Sequence, residues 1–268
     1  MLRCPKCLEE LIKEEHCYRC QNNHCYDIAK QGYVNLILAN QKHSLDPGDN
    51  KEQLNSRDNF LNKGYYQPLA DRLVEVITKY GNENDVLLDA GCGTGYYLNH
   101  IINHVNKDLT YLATDISKYG VSLTARKCKD ATCFVGNVFH LAINDGCLDI
   151  LMSVFTPYSS EEFSRVVKKG GYVIAVNPGK NHLFGLKQIV YDNPYYNEDN
   201  GYDLTGFTLV QQDHVEYERL IETNDDINAL WKMMPYYHTT SKQDSNKLLV
   251  LNQVQTSIDF LVSIYRKD

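Results

Sequence analysis

An acid and three evenly spaced glycines follow a short apolar stretch in the first half of the chain. The stretch Val86-Leu87-Leu88 leads into Asp89, and Gly91, Gly93 and Gly95 follow at every second position. Glycines allow a sharp turn with exposed backbone N–H groups, and a ligand can approach them without meeting a Cβ atom. The pattern predicts a loop that holds a nucleotide-like cofactor, although generic nucleotide-binding turns and purely structural turns use the same residue types.

A second acid, Asp115, lies at the end of the predicted strand 109–114, twenty residues after Gly95. A carboxylate in this position can accept hydrogen bonds from both ribose hydroxyls of a nucleoside cofactor. The glycine spacing, with Asp89 two positions before the first glycine, resembles motif I of class I S-adenosylmethionine methyltransferases. That resemblance implies that the loop packs against the methionine part of the cofactor and that Asp89 helps to orient its amino group.

The first 25 residues contain five of the nine cysteines in the chain. Cys4-Pro5-Lys6-Cys7 has the spacing with which two thiolates grip one Zn²⁺ from a tight turn. On spacing alone the second pair is open, because Cys17 with Cys20 gives four thiolates, and Cys20 with His24 gives three thiolates and one imidazole. Either set selects zinc over Mg²⁺ or Ca²⁺. Four protein ligands leave no open position on the metal, so the zinc should be structural.

The composition indicates an ordinary globular protein. With 268 residues, of which 43% are hydrophobic, the chain can form one sizeable core plus an appendage. It has no apolar run of membrane-spanning length, and its start lacks the apolar segment of a signal peptide. An odd number of cysteines favours metal binding over disulfides. We therefore expect a cytoplasmic protein without a membrane partner, and the net charge of −7 argues against nonspecific binding to nucleic acid.

The elements that must position these residues alternate between strand and helix. Strands are predicted over 86–88, 109–114, 132–135, 148–155 and 172–176, and helices over 51–61, 69–80, 96–104, 161–167, 183–191 and 225–234. Five such units in succession predict an α/β fold, a Rossmann-like parallel sheet with helices on both faces and the ligand beyond the carboxyl ends of the strands. The segments 207–212, 214–220 and 256–265 alternate like antiparallel strands. Asp49 is a candidate cap for the first helix.

Longer stretches of the sequence resemble the RlmA family of 23S rRNA guanine-N1 methyltransferases. The resemblance extends through most of the chain, and these segments carry it: His24-Cys25-Tyr26-Asp27-Ile28-Ala29-Lys30-Gln31-Gly32-Tyr33-Val34-Asn35-Leu36, Asp46-Pro47-Gly48-Asp49, Gly64-Tyr65-Tyr66-Gln67-Pro68-Leu69, Gly91-Cys92-Gly93-Thr94-Gly95-Tyr96-Tyr97 and Asn177-Pro178-Gly179-Lys180-Asn181-His182-Leu183. It implies a class I methyltransferase that uses S-adenosylmethionine to methylate N1 of a specific guanine in a hairpin of 23S rRNA. It also implies a zinc ion held by three cysteines and one histidine. By spacing these match Cys4, Cys7, Cys20 and His24, with Cys17 and Cys25 as extras that leave the fourth ligand open.

The same resemblance assigns the cofactor contacts. The residues it implies are Tyr66, Asp89, Gly91, Gly93, Thr94, Gly95, Asp115, Asn137 and His182. Asn137 would reach the edge of the adenine ring, or it is an ordinary turn residue. His182 would touch the cofactor or the target, or it is a histidine at a helix start without a chemical role. The sequence does not identify the group that takes the proton from guanine N1.

An rRNA substrate requires surfaces for stacking and for phosphate. Aromatic candidates for stacking an extruded base are Tyr65, Tyr66, Tyr96, Tyr97 and Tyr158, and basic candidates are Lys6, Lys13, Arg19, Lys30, Lys42, Arg57, Lys180 and Lys187. For Arg57 a solvated hinge is the favoured interpretation, and contact with the cleft is the alternative. Met233 and Met234 are expected in the core.

Three parts follow from these patterns: a zinc-binding module (1–35), a linker with a connecting helix (36–65) and a methyltransferase domain (66–268). The zinc module would help to recognise RNA, and a homodimer is the candidate assembly. Deletion of residues 1–35 is expected to abolish RNA methylation while cofactor binding stays measurable. The sequence leaves two other functions open. They are methylation of a small molecule, which the negative charge favours, and a non-catalytic zinc-stabilised RNA-binding protein.

Overall fold

The computed structural model describes residues 1–38 and 48–268 of the chain. Most of the polar cluster predicted as a linker, Asn40 to Asn50, lies outside the described residues. The same holds for Lys42 and for the first two residues of the segment Asp46-Pro47-Gly48-Asp49.

The described residues form short strands near the amino terminus and then alternate between helices and longer strands. The strands are β1 (Ile12–Lys13), β2 (Cys17–Arg19), β3 (Cys25–Asp27), β4 (Val34–Asn35), β5 (Val86–Ala90), β6 (Thr110–Asp115), β7 (Ala131–Val135), β8 (Leu148–Val154), β9 (Val167–Pro178), β10 (Phe207–Ile221) and β11 (Val254–Lys267). The helices are α1 (Lys51–Asn62), α2 (Gln67–Tyr80), α3 (Tyr96–His104), α4 (Lys118–Lys127), α5 (Ser160–Val166), α6 (Phe184–Val190), α7 (Asn224–Lys232) and α8 (Lys242–Ser245), with 3₁₀ turns at Pro235–His238 and Asn246–Leu248.

The main sheet has the order β10-β11-β9-β8-β5-β6-β7-β4. Neighbours from β9 to β4 run parallel, whereas β11 is antiparallel to both β9 and β10. From the central β5 the chain first moves to β6 and β7 and then returns to the other side through β8 and β9. This reversal opens a crevice at the carboxyl ends of β5 and its neighbours, where doubly wound sheets bind their ligands. The predicted Rossmann-like α/β sheet is confirmed.

Alternating side chains of the central strands feed two cores. Leu87 of β5 points into the core that α1, α2, α3, α4, α6 and α7 cover. Leu88 and Ala90 point to the other face, where α5 packs beside the amino-terminal segment. Helices thus lie on both faces, as predicted, and on the second face residues of the amino-terminal segment share the core with α5.

The amino-terminal segment is attached to the sheet at several points. Its own sheet, β1-β2-β3, is antiparallel, and β4 then pairs in parallel with the end of β7, so that Val34 lies opposite Phe134. Leu2 forms a β-bridge with Ile143, and Arg3 forms an ion pair of 3.1 Å with Asp145. So short a segment has little apolar area of its own, and it gains a core by packing on the main sheet.

Several local predictions differ from the structure. Asn50, not Asp49, caps α1, because its side chain accepts the N–H of Gln53 while the Gln53 side chain accepts the N–H of Asn50. The segments 207–212 and 214–220 form the single strand β10, with a bulge between Leu209 and Gln211. Helix α4, which Ser117 caps, has no counterpart among the predicted helices. None of the helices formed by the described residues combines the length and the apolarity needed to cross a membrane.

Candidate active site

A cavity of about 750 Å³ opens at the carboxyl ends of the central strands. Eight of the nine residues predicted to contact the cofactor line it: Tyr66, Asp89, Gly91, Gly93, Thr94, Asp115, Asn137 and His182. Gly95 does not line the cavity, and it forms the N-cap of α3. The volume is within the range of cavities that bind cofactors and drug-sized ligands.

The loop between β5 and α3 requires glycine for two reasons. Gly91 and Gly95 have φ values of +86° and +75°, which side chains other than glycine rarely adopt. A Cβ atom on Gly91 would also overlap the side chain of Thr156, and one on Gly95 would lie 3.0 Å from Cα of Thr124. The loop can therefore run close to the segment after β8 and to α4 only if these positions carry no side chain.

Asp115 is tied to the glycine loop. One carboxylate oxygen accepts the N–H of Gly93 at 2.9 Å, and the other accepts the N–H of Ser117 at 2.8 Å. Burial raises the pKa of Asp115, while these two hydrogen bonds and the Arg57 guanidinium act in the opposite direction. Each oxygen has a second lone pair, so the carboxylate can still accept the hydroxyls of a ribose.

Asp89 lies deeper and is almost fully buried. Burial raises the pKa of Asp89 to about 8, and the nearby Asp115 carboxylate contributes to this rise. A cation in the cavity would lower the pKa again, because an opposite charge favours the ionised form. This position is thus suited to a positively charged group such as an α-ammonium.

Two hydroxyl groups of this part of the chain are buried without a hydrogen-bond partner. They are Thr94 Oγ1 and Tyr97 OH, and both residues line the cavity. Neither hydroxyl oxygen has accessible surface toward the cavity, and Thr114 and Thr256, which do not line it, carry unpartnered hydroxyls as well, so these groups do not identify a ligand. The two carboxyl groups, of Asp89 and Asp115, and the glycine loop are the groups that fit a cofactor with several polar atoms, such as S-adenosylmethionine.

Asn137 lies two residues after the end of β7 and forms a turn there. Its side-chain oxygen accepts the N–H of Phe139 at 3.0 Å. This contact leaves the amide group of Asn137 as a donor toward the cavity that it lines. The arrangement suits contact with a ring nitrogen of a base. The turn contact agrees with the interpretation of Asn137 as a turn residue, and it leaves contact with the cofactor as a prediction.

His182 is a neutral imidazole. Its Nδ1 accepts the backbone N–H of Asp259 at 3.3 Å, so the ring proton lies on Nε2, which is 3.4 Å from the Tyr66 hydroxyl. Burial lowers the pKa of His182 to about 3. His182 therefore offers a hydrogen-bond donor to Tyr66 and has no free nitrogen to accept a proton.

Three residues that are not predicted to contact the cofactor also line the cavity. Arg57 forms an ion pair of 2.6 Å with Asp49 and is only 26% exposed, so the solvated-hinge interpretation is wrong. Met233 and Met234, expected in the core, also line the cavity, because α7 ends at Lys232 and the chain turns back toward the crevice. Sequence spacing carries no signal for this approach, since α1 and α7 meet only in the folded chain.

Two of the tyrosines proposed for stacking do not reach the cavity. Tyr65 is buried, stacks on Phe60 and donates to Asp226. Tyr158 stacks on Tyr202 at a centroid distance of 3.9 Å in the other core. Tyr66, Tyr96 and Tyr97 remain among the cavity residues.

The prediction that Lys187 contacts phosphate is wrong. This lysine is 1% exposed, and its ammonium group donates to the Tyr195 carbonyl and the Asn197 side chain.

The amino-terminal segment brings four possible metal ligands together. The ligand atoms of Cys4, Cys7, Cys20 and His24 all lie within 4.8 Å of one another. His24 Nδ1 is 3.5 Å from Sγ of Cys4, 3.3 Å from that of Cys7 and 3.5 Å from that of Cys20. Such distances suit one tetrahedral Zn²⁺, whose bonds to sulfur and nitrogen are about 2.0–2.3 Å long.

The remaining cysteines of this segment are engaged elsewhere. Cys17 Sγ donates to a carboxylate oxygen of Glu14 at 3.2 Å, and Cys25 is its other sulfur neighbour. Neither belongs to the four-residue cluster. The sequence leaves open whether Cys17 or His24 completes the zinc site. The geometry favours His24, so the candidate zinc site has three thiolates and one imidazole.

Comparison with known proteins gives matches over both parts of the chain. The family model described as "RlmA, N-terminal", a zinc ribbon, matches residues 2–45, and a model described as "Methyltransferase domain" matches residues 88–175. The two matched ranges contain the thiol and imidazole cluster and the glycine loop, respectively.

Three curated relatives are similar to the chain. One is the 23S rRNA (guanine(748)-N(1))-methyltransferase of Streptomyces fradiae, 33% identical over 69% of this chain and 66% of that protein. A protein of Micromonospora griseorubida, provisionally named a 23S rRNA (guanine-N(1)-)-methyltransferase, is 31% identical over 69% of this chain and 68% of its own length. The similarly named YxjB of Bacillus subtilis (strain 168) is 28% identical over 100% of this chain and 97% of its own length. The chain thus spans about two thirds of the first two relatives and nearly all of the third.

Proposed function

This chain belongs to the RlmA family of 23S rRNA (guanine-N1)-methyltransferases, and from that premise we propose that it methylates N1 of one guanine in a hairpin of 23S rRNA. The methyl donor is S-adenosylmethionine. The observation that carries the proposal is the cavity in which the two buried acids, Asp89 and Asp115, meet the glycine loop.

The cofactor-binding roles follow from the polar groups of the cavity. Asp115 accepts the ribose hydroxyls while its bond to Gly93 fixes the loop. Asp89, buried next to Asp115, pairs with the ammonium of the methionine part. Asn137 contacts the base through its side-chain NH₂ group, because its oxygen already accepts the N–H of Phe139.

The chemical step is mainly a problem of placement. When bound, S-adenosylmethionine supplies a methyl group that its sulfonium makes electrophilic. The chain must hold guanine N1 in line with that methyl group, and such positioning accounts for a large share of the rate. Guanine N1 also has a proton to lose. His182 does not take it, because its Nδ1 is already an acceptor and its pKa is about 3.

The zinc-binding module completes the RNA surface in this proposal. Residues 1–35 hold the metal through Cys4, Cys7, Cys20 and His24, residues 36–65 connect, and residues 66–268 carry the reaction. Exposed lysines of the module, Lys6, Lys13 and Lys30, supply positive charge beside a chain whose total charge is −7. Phosphate contacts depend on charges within about one Debye length, roughly 8–10 Å, so a local basic surface is sufficient.

A ribosomal substrate implies that the reaction takes place in the cytoplasm. The homodimer suggested for this chain stays a prediction, and light scattering of the purified protein checks it.

Methylation of a small molecule is the second candidate function, because the net charge of −7 disfavours a polyanionic substrate.

The test is mass mapping of ribosomal RNA from cells with and without this protein. We expect one methylated guanine in 23S rRNA to disappear with the gene and to return with the wild-type chain. Incubation of the protein with labelled cofactor and either rRNA or a metabolite extract separates the two candidates, since label in the extract alone would contradict an rRNA substrate.

Replacement of Asp115 tests the cofactor site directly. We expect Asp115→Ala to weaken cofactor binding at least ~10-fold, because a hydrogen bond to a charged group contributes about 1.5–3 kcal/mol. Calorimetric titration measures the effect, and thermal unfolding checks that the variant is folded. Unchanged binding by a folded Asp115→Ala variant would refute the assigned geometry of the cofactor.

A further inference from the structure

Phe155 has a backbone conformation that is unusual for its residue type. It directly follows β8 and has a φ of +54°, in the left-handed region that large side chains avoid. Its N–H donates to the carbonyl of Val176 in β9 at 3.0 Å, which holds it in place. Strained residues of this kind persist where surrounding structure enforces them and concentrate at ligand sites.

The ring of Phe155 lies at the wall of the cavity. Among the described residues, one aromatic side chain packs against it. The Phe155 side chain is 40% exposed and lines the cavity. The buried ring of Phe260 packs against it at a centroid distance of 5.4 Å. Phe260 in turn contacts Tyr66 at 4.8 Å and His182 at 4.9 Å. Phe155 is thus the exposed member of a cluster of tilted and edge-to-face rings.

Its position along the cavity is at the methyl-donating end. The next residue, Thr156, packs against Gly91 of the glycine loop, which was assigned to the methionine part of the cofactor. Asn137, assigned to the adenine ring, follows β7, which is separated from β8 by β5 and β6 in the sheet. An aromatic surface next to the methionine part is therefore available to a second planar group, not to the adenine of the cofactor.

We propose that Phe155 is the surface on which the target guanine stacks once it has left the RNA stem. The inference rests on the function proposed above and deepens it. A guanine within a stem must be turned out before N1 can be reached, and an aromatic side chain compensates the stacking that is lost. The left-handed backbone sets the direction in which the side chain leaves the end of β8, and the Phe260 ring packs against it.

A pair of substitutions at Phe155 separates stacking from packing. Phe155→Leu keeps an apolar side chain but removes the flat ring, and Phe155→Tyr keeps the ring. We expect Phe155→Leu to lower kcat/KM for the rRNA hairpin about 5- to 150-fold, the range for losing one base–aromatic contact. Phe155→Tyr should keep kcat/KM within about threefold of the wild-type value, because it retains the ring. Cofactor affinity should be unchanged in both variants.

Tyr196→Leu serves as the control. Tyr196 is an exposed aromatic residue (51%) that stacks on Phe184 and does not line the cavity. This variant should have wild-type kcat/KM. Equal loss in Tyr196→Leu and Phe155→Leu would mean that exposed aromatic residues matter in general, and would overturn the proposal.

A fluorescent base reports on stacking itself. 2-Aminopurine is placed at the guanine position that mass mapping of the wild-type product identifies, and emission is recorded with saturating protein and S-adenosylhomocysteine. Stacking quenches this base, so the emission of the bound hairpin should be higher with Phe155→Leu than with the wild type or Phe155→Tyr. Equal emission and full activity of Phe155→Leu would refute the role of Phe155 while leaving the proposed function intact. If the wild-type protein methylates no rRNA guanine, the proposed function fails and this inference fails with it.

Discussion

Asp89 and Asp115 lie at the ends of the neighbouring strands β5 and β6, and burial raises the pKa of both. They differ in their contacts, because Asp115 accepts two backbone N–H groups, whereas burial and the Asp115 carboxylate raise the pKa of Asp89 to about 8. At neutral pH the free protein therefore has Asp89 mostly in its neutral form. A cationic group of the ligand would reverse this, so binding and ionisation are linked.

This linkage gives a prediction for the pH dependence of cofactor binding. At about pH 6.5 only roughly 3% of Asp89 is ionised in the free protein, which weakens the apparent affinity about 30-fold if the carboxylate is the binding form. Affinity should rise with pH up to about pH 8, and each binding event should release close to one proton at about pH 6.5 and about half a proton near pH 8. Calorimetry with S-adenosylhomocysteine in two buffers of different ionisation enthalpy measures the number of protons.

Asp89→Asn is the matched variant for this measurement, because it keeps the shape of the side chain and cannot ionise. Its affinity should be weaker than that of the wild type and independent of pH between about 6 and 8. A wild-type affinity that is flat over the same range, without proton release, would contradict the linkage.

At the scale of the elements, the glycine loop depends on two neighbours that are remote in sequence. The Thr156 side chain after β8 fills the space beside Gly91, and the Thr124 hydroxyl of α4 donates to the carbonyl of Gly93 at 3.1 Å. The conformation of the loop is thus set jointly by the segment after β8 and by α4. Neither constraint is visible in the spacing of the glycines.

The prediction at this scale concerns Gly91→Ala. The substitution combines a φ of +86° with overlap against Thr156, so we expect a loss of stability of about 2 kcal/mol or more and a strong loss of cofactor binding. Gly32→Ala is the control, because Gly32 has a φ of +96° but open space where a Cβ atom would lie. Thermal unfolding and calorimetry compare the two. Equal effects would mean that backbone strain alone, and not close packing, explains the need for glycine.

Some elements are predictable from the sequence and others are not, for identifiable reasons. Helix α3 has the bounds that the sequence predicts, because the glycines stop the strand pattern and Tyr96 to His104 carry the next apolar period. Helix α4 escapes prediction, since its buried positions include small or polar residues such as Gly120, Ser122 and Thr124, which give a weak apolar stripe. Strand β10 is predicted as two segments that break at Asp213, but Asp213 pairs with Val262 in continuous register, and the irregularity lies earlier, between Leu209 and Gln211.

At the scale of the molecule, the amino-terminal segment is part of the catalytic core. Leu2, Leu11 and Tyr18 share one hydrophobic cluster with Leu88 of β5 and Phe134 of β7. Deletion of residues 1–35 would expose these strands. The deletion expected from the sequence to spare cofactor binding is therefore a poor test of RNA recognition, because it would also damage the sheet that forms the cofactor site.

A milder change tests the coupling between metal and core. We expect Cys7→Ser, which removes one of the four clustered ligands, to lower the Tm in a single transition and to weaken cofactor binding as the sheet loosens. A loss of about 2 kcal/mol corresponds to roughly 4–8 °C for a domain of this size. Calorimetric scans measure it, with metal content determined in parallel.

Cys25→Ser is the control for this variant, because Cys25 is exposed and lies outside the cluster. It should keep both its zinc and the wild-type Tm. A Cys7→Ser variant with two separate transitions and unchanged cofactor binding would mean that the amino-terminal segment unfolds independently of the catalytic sheet.

Much of this protein follows from local sequence. The Rossmann-like sheet, the cysteine and histidine spacing and the acids at the ends of β5 and β6 are determined by residues close together in the chain, since glycine turns and buried strands depend on local backbone preferences. The sequence also left the fourth candidate zinc ligand open between Cys17 and His24, since both spacings suit a tight turn.

The tertiary structure decided which distant residues share the cavity. Arg57 and Met233 line one cavity because α1 and α7 pack together in the folded chain, and Phe155 lines it from a left-handed position after β8. It also placed the zinc-binding segment on the second face of the sheet, beside Phe134. These contacts join residues far apart in sequence. They depend on how apolar faces fit in three dimensions, and periodicity along a single chain does not encode that fit.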